Sequence, residues 1–323
     1  MSKRIQTDKS RFKRIRHLFA SVRIRLHPLF LVLGVLLLAA RLTLGAGEVA
    51  VLTSSKLEAY QKVVTGLLEI IPSAQVFNLP DDKVDQAAVI EQIRARTPSA
   101  VLAVGAPAAA ILKDSLKDTP HIYCMVSDPK RYNLFGENIT GVMLKIRTED
   151  QFQTYKKTFP FITRLGLIYD PSESGETVAE ARRLAKNYGF LLVERTVSRP
   201  QDIAGALKNI LWEVDALWLV PDRTVANKES FQYLLESTID RKIPLLVFSE
   251  GFVKSGAILA LAPDYLGIGR QAGLLMQKVV QGQLPSALPP LYAQGSLVIN
   301  MHTAETLKIP VSSETLKVAG RIY

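Results

Sequence analysis

The chain has 323 residues, 48% of them hydrophobic and 22% charged, a balance that suits folded domains, leaves room for two, and excludes a disordered protein. Its net charge of +10 is unevenly placed: Met1 to Ala46 holds ten basic residues against Asp8 alone, a net +9 that leaves +1 for the rest. A nearly neutral body excludes a general surface for nucleic acid or other polyanions.

The basic segment runs into Leu29 to Ala40, an apolar stretch too short for a standard membrane-spanning helix but right for the apolar region of a signal peptide. Small residues Gly45, Ala46 and Gly47 follow where cleavage is expected. Residues 1–46 are therefore read as a signal peptide or as an uncleaved membrane anchor extending through Leu44. A basic amphipathic helix does not fit, because Leu29 to Ala40 has no polar face. With no cysteine near the junction, a lipoprotein is not expected. Cys124 is the only cysteine, so no internal disulfide forms, and its place in the run Ile122 to Val126 marks it as a core residue.

From Glu48 the chain alternates short apolar runs with helical stripes. Glu48 to Leu52 reads as a strand, and Leu57, Tyr60, Val64, Leu67, Leu68 and Ile71 as one face of a helix that Pro72 ends. Ala74 to Leu79, Gln86 to Arg96 and Ala100 to Val104 continue as strand, helix and strand. His121 to Val126 is a fourth strand, Asn138 to Leu144 a further segment, and Glu149 to Phe159 a helix closed by Pro160. The grammar then restarts: strand Arg164 to Asp170, a helix through Tyr188 stopped at Gly189, strand Leu191 to Arg195, and a helix over Ile203 to Leu211.

Ala216 to Pro221 is six apolar residues in a row, the habit of a strand covered on both faces, and it stops at the polar turn Asp222-Arg223-Thr224. A helix through Phe231 and Ile239, strands Leu245 to Phe248 and Ala257 to Ala262, and a helix Leu266 to Val280 follow. Gly282 to Gly295, with Pro285, Pro289 and Pro290, reads as an extended connector. Leu297 to Met301 is a last strand and Ala304 to Leu307 a short helix. The fold class is α/β, two doubly wound parallel-sheet halves.

In open sheets of this kind ligands sit beyond the carboxyl ends of the strands. The candidate binding residues are the turns at those ends: Ser54 and Ser55, Gly105, Ala106 and Pro107, Ser127 and Asp128, Asp170, Ser172 and Ser174, Asp222, Arg223 and Thr224, Ser249 and Glu250, and Asp264. Hydroxyls ahead of a helix suit a ligand or a cap, and small residues let a ligand approach the backbone. Close helix packing explains Gly105 to Pro107 equally well.

No catalytic, cofactor or metal motif is present. His121 and His302 lie in separate segments, and neither H-E-x-x-H, G-x-S-x-G nor a P-loop occurs. Gly267-Ile-Gly-Arg-Gln-Ala-Gly is off register for a dinucleotide fingerprint. Asp81 and Asp82 sit in a turn beside Lys83 and read as a solvated face. No enzyme activity, cofactor or metal is expected.

Seven phrases in order carry a resemblance: Gly105-Ala-Pro-Ala-Ala, Val126-Ser-Asp-Pro, Asn138-Ile-Thr-Gly-Val, Gly166-Leu-Ile-Tyr-Asp-Pro-Ser-Glu, Pro221-Asp-Arg-Thr-Val, Phe248-Ser-Glu-Gly-Phe-Val-Lys-Ser-Gly-Ala and Leu297-Val-Ile-Asn. Together they resemble the substrate-binding proteins of ABC transporters, in the family with tryptophan- and tyrosine-binding members. The resemblance implies a type I periplasmic-binding fold joined by three crossovers, near Leu144 to Thr148, Leu261 to Tyr265 and Pro289 to Gln294. One lobe would comprise residues 47–145 plus 266–292, the other residues 146–265 plus 293–323.

It also implies a periplasmic monomer that takes a small molecule, amino-acid-like or another small anion, and hands it to an ABC permease in the inner membrane. A sensor kinase as the receptor is the alternative, since both use ligand-driven closure. DNA binding, which the related transcription factors achieve with a helix-turn-helix module in front, is not expected behind a membrane-directed leader. One departure concerns the ligand: where the amino-acid-binding relatives carry asparagine, preceded by an extra residue, this chain has Arg223. An arginine fork favours carboxylate or phosphate. The alternative is a solvated loop charge, or a partner for Asp222 or Glu250.

Overall fold

A computed structural model describes residues 48–323. The leader lies outside the described residues. The body holds two sheets, each flanked by helices on both faces, so the buried strands read as unbroken apolar runs.

The first sheet has the order β11-β5-β4-β3-β1-β2, all parallel, from Val49–Thr53 (β1), Gln75–Asn78 (β2), Ala100–Val104 (β3), His121–Val126 (β4), Ile139–Met143 (β5) and Leu291–Tyr292 (β11). Helices Glu58–Ile70 (α1) and Tyr265–Val280 (α9) cover one face, where Val51, Leu67, Leu102 and Ile268 form a core. Lys83–Ala95 (α2) and Ala106–Ser115 (α3) cover the other, around Leu52, Ile93, Leu112 and Tyr123. Asp82 caps α2 through the Val84 and Asp85 amides, so it is more than a solvated charge.

The second sheet has the order β13-β12-β10-β9-β8-β6-β7, from Arg164–Tyr169 (β6), Leu191–Thr196 (β7), Ala216–Trp218 (β8), Leu245–Val247 (β9), Leu259–Pro263 (β10), Gly295–Ile299 (β12) and Arg321–Ile322 (β13). Only β12 against β10 is antiparallel. Thr148–Thr158 (α4), Pro171–Leu184 (α5) and Met301–Leu307 (α10) lie on one face, with Phe152, Tyr155 and Trp218 at the core. Ile203–Ile210 (α6), Lys228–Asp240 (α7) and Glu250–Lys254 (α8) lie on the other, and Ser313–Val318 (α11) precedes β13.

Three connections pass between the sheets: after β5, between β10 and α9, and between β11 and β12. Backbone bonds tie them together, Asp264 N donating to Gln294 O at 2.9 Å and Ala293 N to the Met143 and Lys145 carbonyls at 3.1 Å. Gln271 on α9 accepts from Gln294 N and donates to Tyr292 O. The crossovers are thus a bonded bundle rather than three loose threads.

Helix α9 lies unusually close to α1. A Cβ on Gly269 would fall on the Val63 carbonyl oxygen, one on Gly66 on the Leu266 carbonyl oxygen, and one on Gly273 would meet Ile70. That contact accounts for the glycine-rich run from Gly267 as a packing surface. The run Gly282 to Gly295 is more than a connector, because Leu291 and Tyr292 add a strand to β5 at Val142 and Met143.

Candidate functional site

Within each sheet the strands run parallel except β12 and its neighbour β13, so the polar turns of each lobe gather at the carboxyl ends of its strands, and ion pairs from Lys130 and Lys145 to α5 join the two sets. On the first lobe, Ser54 follows β1 and its Oγ accepts from the Ala108 amide in the first turn of α3 at 2.9 Å. Gly105 adopts φ +99°, and a Cβ there would press into Ser54 Oγ at 2.7 Å and Tyr60 Cε1 at 2.8 Å, so only glycine allows the loop, helix and α1 to converge. Ala106 and Pro107 form the first turn of α3, whose N-cap residue Gly105 has no side chain to offer, so Ser54 supplies the cap from the end of β1. Ser55 Oγ accepts from Leu57 N at 3.2 Å.

Ser127 and Asp128 are exposed beyond β4, and Asp128 accepts from the Lys130 and Arg131 amides. That strand ends under strain. Met125 sits at φ +57°, where the pairing with β5 slips between Tyr123 and Val126. Burial raises the Tyr123 phenol to about 12 and pushes the Cys124 thiol far up, which leaves the cysteine an inert core residue.

On the second lobe the turns after β6 and β8 form one hydrogen-bonded unit around Asp222, which is 5% exposed. Its Oδ2 accepts from the Asp170 amide at 2.8 Å and Ser174 Oγ at 2.6 Å, its Oδ1 from the Thr224 and Val225 amides at 3.0 and 3.1 Å. Asp170 in turn accepts from Ser172 and from Thr224 Oγ1 at 2.8 Å. These bonds, the Ser172 hydroxyl first, hold its carboxyl below the usual range. Sequence spacing places these five residues at strand ends, and the structure joins them to one another.

Arg223 projects from this unit with its side chain 72% exposed and grips Glu173 with two 2.7 Å bonds. Its partner is therefore neither Asp222 nor Glu250. The Arg223 fork holds the Glu173 carboxyl below its ordinary value, and Arg131 of the first lobe acts in the same direction. Two further ion pairs link the lobes on this flank, Lys130 with Glu176 at 3.3 Å and Lys145 with Glu180 at 3.0 Å.

The opposite flank holds a cavity of about 240 Å³ beside the crossovers, lined by Lys62 and Leu266 from the first lobe and by Glu250, Asp264, Ser296 and Arg321 among others. Glu250 accepts from Tyr323 Oη at 2.6 Å and pairs with Arg321 at 3.3 Å. Ser249 precedes it at the start of α8 without capping the helix, so its hydroxyl stays available. Asp264 caps α9 through the Gly267 amide at 3.0 Å. Tyr265, whose phenol burial pushes up and the Glu250 charge pushes further, stands close to Lys62 and Tyr60.

The candidate residues thus fall into three groups: Ser54 to Pro107 on the first lobe, the Asp222 unit with Arg223 on the second, and Glu250 with Asp264 beside the crossovers. Ser127 and Asp128 join none of these groups directly, but Asp128 holds the turn whose Lys130 and Arg131 face Glu176 and Glu173 beside Arg223. Lys62 and Arg321, which line the cavity, and Tyr60 and Tyr265, which stand close to it, are the residues that sequence reading misses. Tyr60 carries only the signal of a helix core stripe, and Arg321 lies beyond the last element that the sequence pattern defines.

The model of the family described as ABC transporter substrate binding protein matches residues 50–323. A tyrosine-binding protein of Clostridioides difficile (strain R20291) is 25% identical over 227 residues, 67% of this chain and 65% of the relative, so the match spans just under two thirds of that protein. Among solved structures, the ligand-free, open form of a substrate-binding protein with adhesive properties from Clostridium difficile superposes with a TM-score of 0.72 at 18% identity, covering 85% of this chain and 99% of that one. An ABC domain from Streptococcus pneumoniae in complex with L-Trp gives 0.57 at 24% identity, covering 86% and 99%. These two share the fold, and the family match covers nearly all of the described body: the chain belongs to the family of ABC transporter substrate-binding proteins.

Proposed function

We propose that the protein is exported, captures a small amino-acid-like molecule or other small anion between its lobes, and delivers it to an ABC permease in the inner membrane. The observation that carries this reading is the set of polar groups at the strand-end turns of both lobes: the Ser55 hydroxyl on one, and on the other the Ser249 hydroxyl, which caps no helix, and the exposed Arg223 guanidinium, held only by its ion pair with Glu173. Binding without catalysis fits these groups, since hydroxyls and a guanidinium recognise charge and shape. L-Tyrosine and L-tryptophan are the first ligands to test, because similar proteins carry those names.

Native mass spectrometry of the purified protein identifies what it carries, and small-angle scattering with and without that molecule reads closure. A bound amino acid or small anion and a fall in radius of gyration are expected. An empty protein whose radius is unchanged by every ligand tested would refute capture by closure.

Arg223 is the residue proposed to choose the ligand's charge. Lys130 and Arg131 of the first lobe already face Glu176 and Glu173 here, and an anionic ligand takes the guanidinium that Glu173 holds in its absence. A hydrogen bond to a charged group is worth about 1.5 to 3 kcal/mol, so Arg223→Ala should weaken binding about ten- to a hundredfold. Arg223→Lys should recover only part of this, and Glu173→Gln should tighten binding by freeing the fork. Calorimetry with the co-purified ligand measures all three, and wild-type affinity in Arg223→Ala would leave the pair a surface ion pair.

A further inference from the structure

The amino ends of the first sheet's strands form the pole opposite the cleft, and a pocket of about 380 Å³ opens there, lined by Lys113, Asp114, Lys117, His121, Glu137 and Asn138 among others. His121, the first residue of β4, is 5% exposed, and neither ring nitrogen has a hydrogen-bond partner. The Leu112 and Thr119 carbonyls lie near enough to favour the protonated ring, but neither meets hydrogen-bond geometry. Burial outweighs them and lowers the pKa, so at neutral pH the ring offers one N–H and one bare nitrogen. Native proteins satisfy nearly all such buried polar atoms, which marks this one as a group awaiting a partner.

The charges around it are balanced. Lys113 and Lys117 stand on one wall, Asp114 and Glu137 complete the ring, and among the described residues the four form no ion pair with one another. Such a pocket suits a zwitterion better than a simple anion: the lysines and the imidazole N–H take a phosphate, and the carboxylates take a primary ammonium.

The rim adds a second kind of contact. Phe135, next to the pocket residue Gly136, is 64% exposed, and Leu284 is 55% exposed. Ser286 N donates to Glu137 O at 3.0 Å, which holds the Leu284 turn beside the pocket. Glu48, the first described residue, is at this same pole, its carboxylate paired with Arg96 and its carbonyl accepting from Ser99 N.

We propose that this pole is a membrane-contact face whose pocket takes the phosphoethanolamine headgroup of a phospholipid, with Phe135 and Leu284 entering the interface beside it. Its orientation toward the membrane rests on the reading of residues 1–46 as a retained anchor, but the pocket's chemistry does not. A choline headgroup lacks the N–H donors that Asp114 and Glu137 require, so the two lipids should be told apart.

The test uses residues 48–323, which form a compact unit with their own cores, so that leader insertion cannot mimic the result. In vesicle flotation the body should rise with phosphatidylcholine vesicles that contain phosphatidylethanolamine and stay behind with phosphatidylcholine alone. The double variant Lys113→Gln, Lys117→Gln, at one half-buried and one exposed position, should lose about tenfold or more of that binding, one charge-assisted bond being worth that much. Phe135→Ser should lose less. In parallel, the His121 ring 15N resonances should move on adding glycerophosphoethanolamine. No binding to ethanolamine-containing vesicles overturns the proposal, as does binding that the lysine variant leaves intact. Ring shifts with the free headgroup but no flotation would overturn the membrane assignment and leave a site for a soluble zwitterion. Each outcome is independent of what the cleft binds, so it separates from failure of the transport reading.

Discussion

Gly269→Val is expected to unfold the first lobe while the second still melts as a unit. A side chain at this position has no direction in which to yield, because its Cβ would fall on the Val63 carbonyl and lie 2.8 Å from the Leu67 amide nitrogen, both backbone atoms of α1. Flexible side chains can rotate aside, but a helix backbone must move as a body. Separating α1 from α9 would open the core that holds Leu67, Ile268, Ala272 and Met276, all essentially unexposed. Overpacking usually costs about 1 to 3 kcal/mol, and the rigid neighbour places this case at the upper end or beyond. Thermal unfolding followed by circular dichroism should show an early transition absent from the wild type, with Gly269→Ala intermediate. A single transition at the wild-type temperature would mean that the helices are not in contact.

Asp222→Ala should cost about 3 kcal/mol or more and weaken ligand binding at the same time. The carboxylate accepts four hydrogen bonds while buried, and removing it strands the Asp170, Thr224 and Val225 amides and the Ser174 hydroxyl in a place that water reaches poorly. Each orphaned donor costs about 1 to 3 kcal/mol, offset in part where the turn relaxes toward solvent. A chain of this size loses roughly 2 °C or more in Tm per kcal/mol, so a fall of about 6 °C is expected in a thermal melt. Asp222→Asn keeps the shape and half the acceptors and should lose less. The coupling to binding follows from Arg223, which the Asp222 turn holds in place: the affinity loss in Asp222→Ala should match that of Arg223→Ala. A stable Asp222→Ala protein with wild-type affinity would show that the four bonds are replaceable and that the turn does not aim the guanidinium.

The strands were legible because parallel sheets bury both faces, so Ala100 to Val104, Ile122 to Val126 and Ala216 to Val220 stand out as unbroken apolar runs. Where edge position relaxes that demand, the signal fades. Leu291–Tyr292 follows two prolines and is only half-buried, and Arg321–Ile322 is exposed, so neither announces a strand. The short run of β8 shows the converse: Leu219 and Val220 stay buried beyond the strand, and the Leu219 amide still donates to Leu246 O of β9 at 2.8 Å.

At the candidate site, sequence spacing locates turns but not the bonds within them. Asp170, Ser174, Asp222 and Thr224 fall at strand ends by pattern, yet their mutual hydrogen bonds depend on β6 and β8 being neighbours, which no local window contains. The partner of Arg223 is a helix residue fifty positions away. The unpartnered imidazole of His121 was invisible for the same reason, since burial is a property of what packs on a residue from elsewhere in the chain.

The crossovers also set an order of assembly. Helix α1 is made early, but the helix that covers it is made about two hundred residues later, as the Glu69 to Arg270 ion pair marks at a separation of 201. Until α9 emerges, the face of the first sheet carrying Val51 and Leu102 has only α1 to cover it. The second sheet waits in the same way for β12, which seals the edge of β10. Long-range closure of this kind is slow and leaves apolar faces exposed in the meantime. For the export proposed above, that delay would be useful: a half that cannot complete its core early stays in a form that a translocation channel accepts.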